Sequence, residues 1–257
     1  MSSNESIRKI ITVAFSLCIV CSVVVSTAAV LLKPAQDANR DLDRKRNILQ
    51  AAGMLQEGKS VEELFRRIEP RYVDLRTGAF TDDVPPGYNQ QKAAKSPQLS
   101  TNLNQQEDRA GIGRQAHFAQ VYLVEGTDDK GLDKIILPVH GYGLWSTLYG
   151  FVALESDANT IAGLGFYEHG ETPGLGGEVD NPRWKSQWPG KKVYRDGEAA
   201  IALAKGSVDA SSPDAQWRVD GLSGATLTSR GVTDLVQFWL GENGFKPFLN
   251  NLKTGDA

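Results

Sequence analysis

An uncharged apolar run near the N-terminus constrains this chain more than any other feature. Residues 10–32 read IITVAFSLCIVCSVVVSTAAVLL, without one charged side chain. About 20 apolar residues in a helix cross the roughly 30 Å hydrocarbon core of a bilayer. The run therefore predicts a transmembrane helix at 10–32, preceded by an N-terminal tail at 1–9. One large domain with a juxtamembrane helix is predicted at 33–257.

A cleaved signal peptide is the main alternative for this run. Arg8 and Lys9 provide a basic start, and STAA at 26–29 resembles a small-residue cleavage site. The run is longer than the roughly 7 to 15 apolar residues of a signal-peptide core, which favours a retained anchor. Lipidation is disfavoured because Val20, rather than a small residue, precedes Cys21.

Flanking charges give a weak indication of orientation. Two basic residues precede the run and five follow it within a short distance, interleaved with Asp37, Asp41 and Asp43. Taken alone, this distribution mildly favours a cytoplasmic domain. Long domains cross membranes largely regardless of such charges, so the orientation stays open at this point.

Composition excludes several classes of function for the polar part of the chain. The net charge of -3 and pI near 5.7 argue against nucleic acid as a partner. Both cysteines lie in the apolar run, and the three histidines show no metal-site spacing, so no metal site is predicted. The glycine pattern GIGRQA at 111–116 precedes a predicted strand rather than a helix, which argues against a nicotinamide site. Redox chemistry would therefore require a bound cofactor.

Alternating and apolar segments predict an α+β domain with a mostly antiparallel sheet and flanking helices. AHFAQVYLVE, KIILPV, LYGFVALE and TIAGLGFYE are typical of strands separated by Gly-rich or Asp-rich turns. A short helix is predicted after Ser60 and before Pro70, and residues 78–114 are predicted as a long surface excursion. Further helices are predicted at Pro182–Gln187, at Gly197–Ala204 and after the segment VDGLSGATLTSRG at 219–231. The apolar face of the last helix comprises Val232, Leu235, Val236, Trp239 and Leu240.

Two glycine-rich loops are candidates for contacting a flat ligand. HGYGLWSTLYG contains Trp145, and EHGETPGLGGE contains Glu171, Thr172 and Leu175. Glycines allow close approach of the backbone, while Trp and Leu provide apolar faces. Each loop taken alone is also compatible with a simple hairpin connection.

The segment DGLSGATLTS at 220–229 is compatible with a helix cap or with chemistry at a hydroxyl group. Asp-Gly is a turn pair, and the Ser and Thr side chains are suited to accept hydrogen bonds from a helix start. The segment is also similar to the flavinylation motif of the FMN-binding domain family. In that family, the threonine closing an Asp-Gly-x-Ser/Thr-Gly-Ala-Thr run carries FMN through a phosphoester bond. The match from Asp220 to Thr226 has no departure.

The resemblance implies that Thr226 is the covalent attachment residue, while Ser223 and the backbone after Gly224 shape the phosphate site. Trp145, Thr172 and Leu175 are expected to border the flavin ring. No catalytic residue is assigned to this chain itself. The full expected set of cofactor-binding residues is Thr226, Ser223, Gly224, Ala225, Trp145, Glu171, Thr172 and Leu175.

The N-terminal span, the chain length and the GETPGLGGE loop resemble the flavin subunits of the sodium-translocating NADH:quinone oxidoreductase. That resemblance implies an electron carrier, inactive alone on NADH, in a complex that oxidises NADH, reduces ubiquinone and pumps sodium ions. The other subunits are the implied partners, and a flavin transferase is implied for maturation. The transferase acts on the outer face of the bacterial inner membrane, which implies a periplasmic domain. The paralogous flavin protein of the Rnf electron-transport complex and a non-enzymatic membrane-anchored adaptor are the alternatives.

Overall fold

The computed structural model describes residues 7–126 and 131–257, which fall into two units. The first unit extends to Arg44 and the second comprises Lys45–Ala257. Residues 1–6 of the predicted N-terminal tail lie outside the described residues.

One helix, α1, accounts for the first unit. It extends from Ile7 to Ala51 over 45 residues, with Pro34 inside it, so no break separates the apolar run from the predicted juxtamembrane helix. The apolar side chains from Ile10 to Leu32 are exposed. By length and composition, α1 is the one helix among the described residues that could cross a membrane.

The second unit contains the end of α1 and all the other elements. The remaining α-helices are α2 (Val61–Phe65), α3 (Gln90–Ala93), α4 (Pro182–Lys185), α5 (Thr226–Trp239) and α6 (Lys246–Thr254), and short 3-10 helices lie at Gly176–Asp180 and Ala215–Trp217. The strands of the main sheet are β1 (Ile68–Asp74), β2 (Ala79–Phe80), β5 (Phe118–Glu125), β6 (Leu132–Tyr142), β7 (Thr147–Glu155) and β8 (Ile161–Glu168). The short strands are β3 (Ser100–Asn102), β4 (Arg114–Ala116), β9 (Tyr194–Arg195), β10 (Glu198–Ala199), β11 (Ala202–Leu203) and β12 (Arg218–Val219).

The main sheet has the order β2-β1-β5-β6-β7-β8, and every neighbouring pair is antiparallel. This confirms the α+β prediction and the four strands predicted from the alternating and apolar segments. In the centre of the sheet, Leu137 of β6 lies opposite Val152 of β7.

Both faces of the sheet are covered, because successive side chains of a strand point to opposite sides. On β6, Ile135 and Leu137 belong to the core that also contains the apolar side chains of α5. Ile136 belongs to a second core with the last turn of α1 and with α2. An added Cβ at Gly163 of β8 would overlap the carbonyl oxygen of Ala51, so glycine lets the end of α1 lie directly against the strand.

The predicted helix at Gly197–Ala204 is wrong. This segment forms β10, which pairs with β9, and β11, which pairs in parallel with β12. Asp196 and Gly197 have φ values of 50° and 86°, as in a tight hairpin turn. The Asp-Gly pair was the sequence signal for this turn, and burial of Ile201 in the main core fixes the extended chain.

Other predicted boundaries need smaller corrections. The helix predicted to end before Pro70 already ends at Phe65, and Pro70 lies inside β1. The excursion at 78–114 contains the short elements β2, α3 and β3, and ends where β4 begins. The predicted apolar face of α5 is confirmed as buried. Helix α6 was not predicted, and it buries Phe248 and Leu249 in the main core.

Candidate functional site at the start of α5

The segment DGLSGAT forms the turn between β12 and α5. Gly224 has a φ of 70°, a left-handed conformation that glycine adopts without strain. Ala225 occupies the N-cap position of α5, and no side chain caps the helix there. The first N–H groups of a helix have no partner within the helix, and they favour negative charge. The hydroxyl groups of the segment therefore do not serve as an ordinary cap of α5.

Burial separates the four hydroxyl groups of residues 220–229, the turn and the first turn of α5. Thr228 and Ser229 are buried. Ser229 Oγ accepts a hydrogen bond from the Leu222 N–H at 2.9 Å, and the Thr228 hydroxyl donates to a carboxylate described below. Ser223 and Thr226 are exposed. The exposed hydroxyls of Ser223 and Thr226 are thus accessible from solvent, whereas the buried hydroxyls of Thr228 and Ser229 stabilise the turn by hydrogen bonds.

Asp220, the first residue of the motif, is bonded within the protein. Its Oδ1 accepts from the Val208 N–H at 2.7 Å, and its carbonyl oxygen accepts from the Trp184 indole N–H at 2.9 Å. Its own N–H donates to Gln187 Oε1 at 3.0 Å. These bonds fix the entry to the turn that precedes Thr226.

Glu171 connects the glycine-rich loops to α5. Its Oε1 accepts from the backbone N–H groups of Leu144, Trp145 and Ser146 at 3.1, 3.0 and 3.3 Å. Its Oε2 accepts from the Thr228 hydroxyl at 2.7 Å. The carboxylate thereby ties the loop at 143–146 to the first turn of α5.

Two glycines enclose this carboxylate. A Cβ added at Gly143 would lie 2.6 Å from Glu171 Oε1, and one added at Gly176 would lie 2.7 Å from Oε2. The Gly176 position is also 2.6 Å from Thr228 Oγ1. Any larger residue at these positions would displace the buried group, which explains why the loops need glycine there.

Hydrogen bonding keeps Glu171 ionised. Burial of the side chain opposes ionisation, but the Thr228 hydroxyl and the three backbone amides outweigh it and lower the pKa of Glu171 below its ordinary value. The carboxylate is therefore negatively charged throughout the neutral pH range.

Large apolar side chains surround the start of α5 and remain exposed. The exposed fractions are 67% for Trp145, 57% for Leu227, 49% for Tyr142 and 44% for Leu175. Leu175 lies over the motif, since a Cβ added at Gly224 would be 3.0 Å from its Cδ2. Thr172 is exposed, and its carbonyl oxygen holds the Leu175 turn by accepting from the Leu175 and Gly177 N–H groups. The expected site residues Trp145, Thr172, Leu175, Ser223 and Thr226 are thus exposed, whereas Glu171 points into the protein.

A cleft of about 260 Å³ adjoins the first turns of α5. Sequence reasoning missed it, because Arg109 and Tyr142 are brought beside Leu227 and Arg230 by the tertiary fold alone. Its lining comprises Arg109, Ala110, Gly111, Tyr142, Gly143, Leu144, Leu227, Arg230, Gly231 and Asp234. Within this lining, Arg109 Nε donates to Asp234 Oδ1 at 2.8 Å.

A larger cleft, of about 490 Å³, includes Asp220 and lies along residues 187–191 and 208–216. Neither Ser223 nor Thr226 lines it. In the part of the chain that the structure describes, no group of three or more His, Cys, Asp and Glu residues is placed to hold a metal ion.

Comparisons with known proteins identify the family of this chain. The family described as FMN-binding domain matches residues 143–241, which include most of the first glycine-rich loop, all of the second and the turn before α5. The NqrC subunit of the Na(+)-translocating NADH-quinone reductase of Pseudomonas aeruginosa is 55% identical, covering 100% of both chains. The subunit of the same name from Vibrio vulnificus is 50% identical, covering 99% of both chains.

Two solved structures of the same kind of subunit are also similar to this chain. The crystal structure of Shewanella oneidensis NqrC has a TM-score of 0.75 at 38% identity, covering 82% of this chain and 97% of that chain. The crystal structure of the corresponding Na(+)-translocating NADH-quinone reductase subunit from Parabacteroides distasonis has a TM-score of 0.64 at 29% identity, covering 85% of this chain and 96% of that chain. By these similarities over nearly the full length, the chain belongs to the NqrC family of Na(+)-translocating NADH-quinone reductase subunits and carries an FMN-binding domain.

Proposed function

We propose that this chain is the flavin-carrying subunit of a membrane complex that oxidises NADH, reduces ubiquinone and translocates sodium ions. FMN is attached to the Thr226 hydroxyl by a phosphoester bond. When bound, the flavin supplies the electron transfer, and the protein supplies its attachment, orientation and electrostatic environment.

The observation that carries this proposal is the exposed Thr226 hydroxyl at an uncapped helix N-terminus. Thr228 and Ser229 are buried and hydrogen-bonded, so they are not accessible to a flavin donor. The phosphodiester formed at Thr226 keeps a negative charge, which the free N–H groups and the dipole of α5 stabilise. Ser223, Gly224 and Ala225 form the adjoining turn and complete the phosphate site.

The ring is proposed to lie against the exposed apolar side chains beside this turn. Trp145 and Leu175 provide flat and aliphatic faces, and Leu175 already contacts the turn at Gly224. Thr172 holds the Leu175 turn through its carbonyl oxygen. Glu171 contributes to the site indirectly, because its carboxylate joins the loop that carries Trp145 to the first turn of α5.

The relatives' names support the partners and the setting. The curated relatives of Pseudomonas and Vibrio are named as subunits of a Na(+)-translocating NADH-quinone reductase, which favours this complex over the Rnf complex. We propose that α1 anchors the chain in the bacterial inner membrane, with the domain in the periplasm, where a flavin transferase modifies Thr226. Electrons pass between partner subunits through the flavin, and the chain alone does not oxidise NADH.

Intact mass spectrometry of the full chain purified from its native host tests the attachment. After denaturation and removal of free ligand, the wild type is expected to carry the mass of one FMN residue, and Thr226→Ala is expected to lose it. Ser223→Ala distinguishes the two exposed hydroxyls of the turn: it removes one group of the proposed phosphate site but leaves the Thr226 hydroxyl, so covalently bound FMN should still be detected. An unmodified wild type, or a Thr226→Ala chain that keeps the added mass, would refute the proposal.

A further inference from the structure

We propose that Glu171 is a positioning residue whose carboxylate fixes the Trp145 loop against α5, and whose charge makes the flavin harder to reduce. This inference rests on the proposed attachment of FMN at Thr226.

The carboxylate acts through other residues rather than by direct contact. The residue is 5% exposed, and both of its oxygens are bonded to donors of the protein. Gly143 and Gly176 close the space on either side of it. A ligand at Thr226 therefore meets the segments that Glu171 holds, and not the carboxylate itself.

These segments are the ones that surround Thr226. Three successive amides of the Trp145 loop bond to Oε1, which fixes the backbone that presents the indole. Thr228, two residues after Thr226, bonds to Oε2. Glu171 itself begins the turn that places Leu175 over Gly224. One side chain thus sets the relative position of the attachment residue and the two apolar side chains beside it.

The charge of Glu171 has a separate effect on a flavin held at this turn. Hydrogen bonds hold the pKa of Glu171 below its ordinary value, so the group remains anionic at neutral pH. Reduction adds negative charge to a flavin, and a fixed anion nearby disfavours that addition. The interaction is stronger here than between surface charges because the buried carboxylate is screened little by water or salt.

Three substitutions separate the charge from the geometry. Glu171→Gln keeps an acceptor oxygen for the three amides and can donate to the Thr228 oxygen, but it removes the charge. Glu171→Asp keeps the charge, but its side chain is one methylene shorter and cannot reach both groups of donors. Glu168→Gln is the matched control, because it removes an exposed carboxylate from the same segment.

Potentiometric titration of the flavinylated full chain in detergent tests the role of the charge. Intact mass first establishes that each variant carries FMN. Glu171→Gln is expected to have a higher reduction potential than both the wild type and Glu168→Gln, and Glu171→Asp is expected to stay near the wild type. A Glu171→Gln potential that is unchanged, lowered or equal to that of Glu168→Gln would overturn the electrostatic role.

Amide hydrogen exchange at residues 144–146 tests the positioning role without any flavin, in chains that also carry Thr226→Ala. Exchange is expected to be at least about tenfold faster in Glu171→Asp than with Glu171 intact, because the charge-assisted bonds are lost. In Glu171→Gln, amide exchange at residues 144–146 is expected to stay close to the rate with Glu171 intact. Equal exchange rates in the Asp variant and its parent would overturn the positioning role. Since this measurement needs no cofactor, its result is independent of the proposed attachment.

Discussion

Replacing Thr228 by valine removes one hydrogen bond at the centre of the site with little other change. Thr and Val have similar shapes and similar helix propensities, so the substitution leaves α5 itself nearly unaffected. The lost bond joins a fully buried hydroxyl to an ionised carboxylate at 2.7 Å, and such charge-assisted bonds contribute about 1.5–3 kcal/mol. Gly176 lies close to the Thr228 hydroxyl, so the valine methyl group that replaces this hydroxyl has no space to move away from the carboxylate. We expect a loss of about 2 kcal/mol in the free energy of unfolding.

Thermal unfolding of the full chain in detergent, followed by tryptophan fluorescence, measures this loss. All five tryptophans lie in the second unit, so the signal reports on the domain. For a domain of this size, about 2 kcal/mol corresponds to a fall in Tm of about 4–8 °C. Thr228→Ser is the control, because it keeps the donor and loses one methyl group. A valine variant as stable as the wild type, or a serine variant as unstable as valine, would refute the reasoning.

The pH dependence of the same difference provides an independent check. The folded pKa of Glu171 is lowered from its ordinary value of 4.5, so its contribution to stability is fully present above that value. The contribution is lost as the pH falls through the lower folded pKa. The difference between wild type and Thr228→Val should therefore narrow at acidic pH. A constant difference would mean that the hydroxyl does not act through the charged carboxylate.

Three further predictions concern the stability of the fold and the side of the membrane on which the domain lies. Gly231→Ala should destabilise the domain by about 1 kcal/mol or more, because overlap with the Tyr142 carbonyl oxygen outweighs the gain of about 1 kcal/mol in helix propensity; equilibrium denaturation measures this. Burial lowers the pKa of His140 from 6.5 to about 4, so stability should fall by up to about 3 kcal/mol as the pH decreases from 6.5 to 4. In this pH range His140 binds a proton in the unfolded state but not yet in the folded state. His140→Phe should therefore reduce the pH dependence of the free energy of unfolding. A cysteine introduced at the exposed Asp256 in a cysteine-free chain should react with a membrane-impermeant maleimide from the periplasmic side; protection from the reagent would contradict a periplasmic domain.

Much of the fold was predictable because its strongest signals are local. The four long strands β5 to β8 are alternating or short apolar segments bounded by turn residues, and the buried face of α5 repeats at helical spacing, so each pattern identifies its own element. The segment at 197–204 was misread because its strands are only two residues long, and because β11 pairs with β12, which lies about 15 residues later in the chain. The Asp196–Gly197 turn was the one local sign of them.

The sequence by itself determined the apolar helix and the antiparallel α+β class, and the resemblance of its DGLSGAT segment to a family motif pointed to Thr226. These features depend on residue types at short spacing, so they are visible before the chain folds. Which hydroxyls are exposed was decided only by the tertiary structure, because Thr228 and Ser229 are buried by segments distant in sequence. The same holds for Glu171: its four donors come from a loop about 25 residues earlier and a helix 57 residues later. A carboxylate that acts through such long-range bonds has no local pattern, and its role emerges only when the chain has folded.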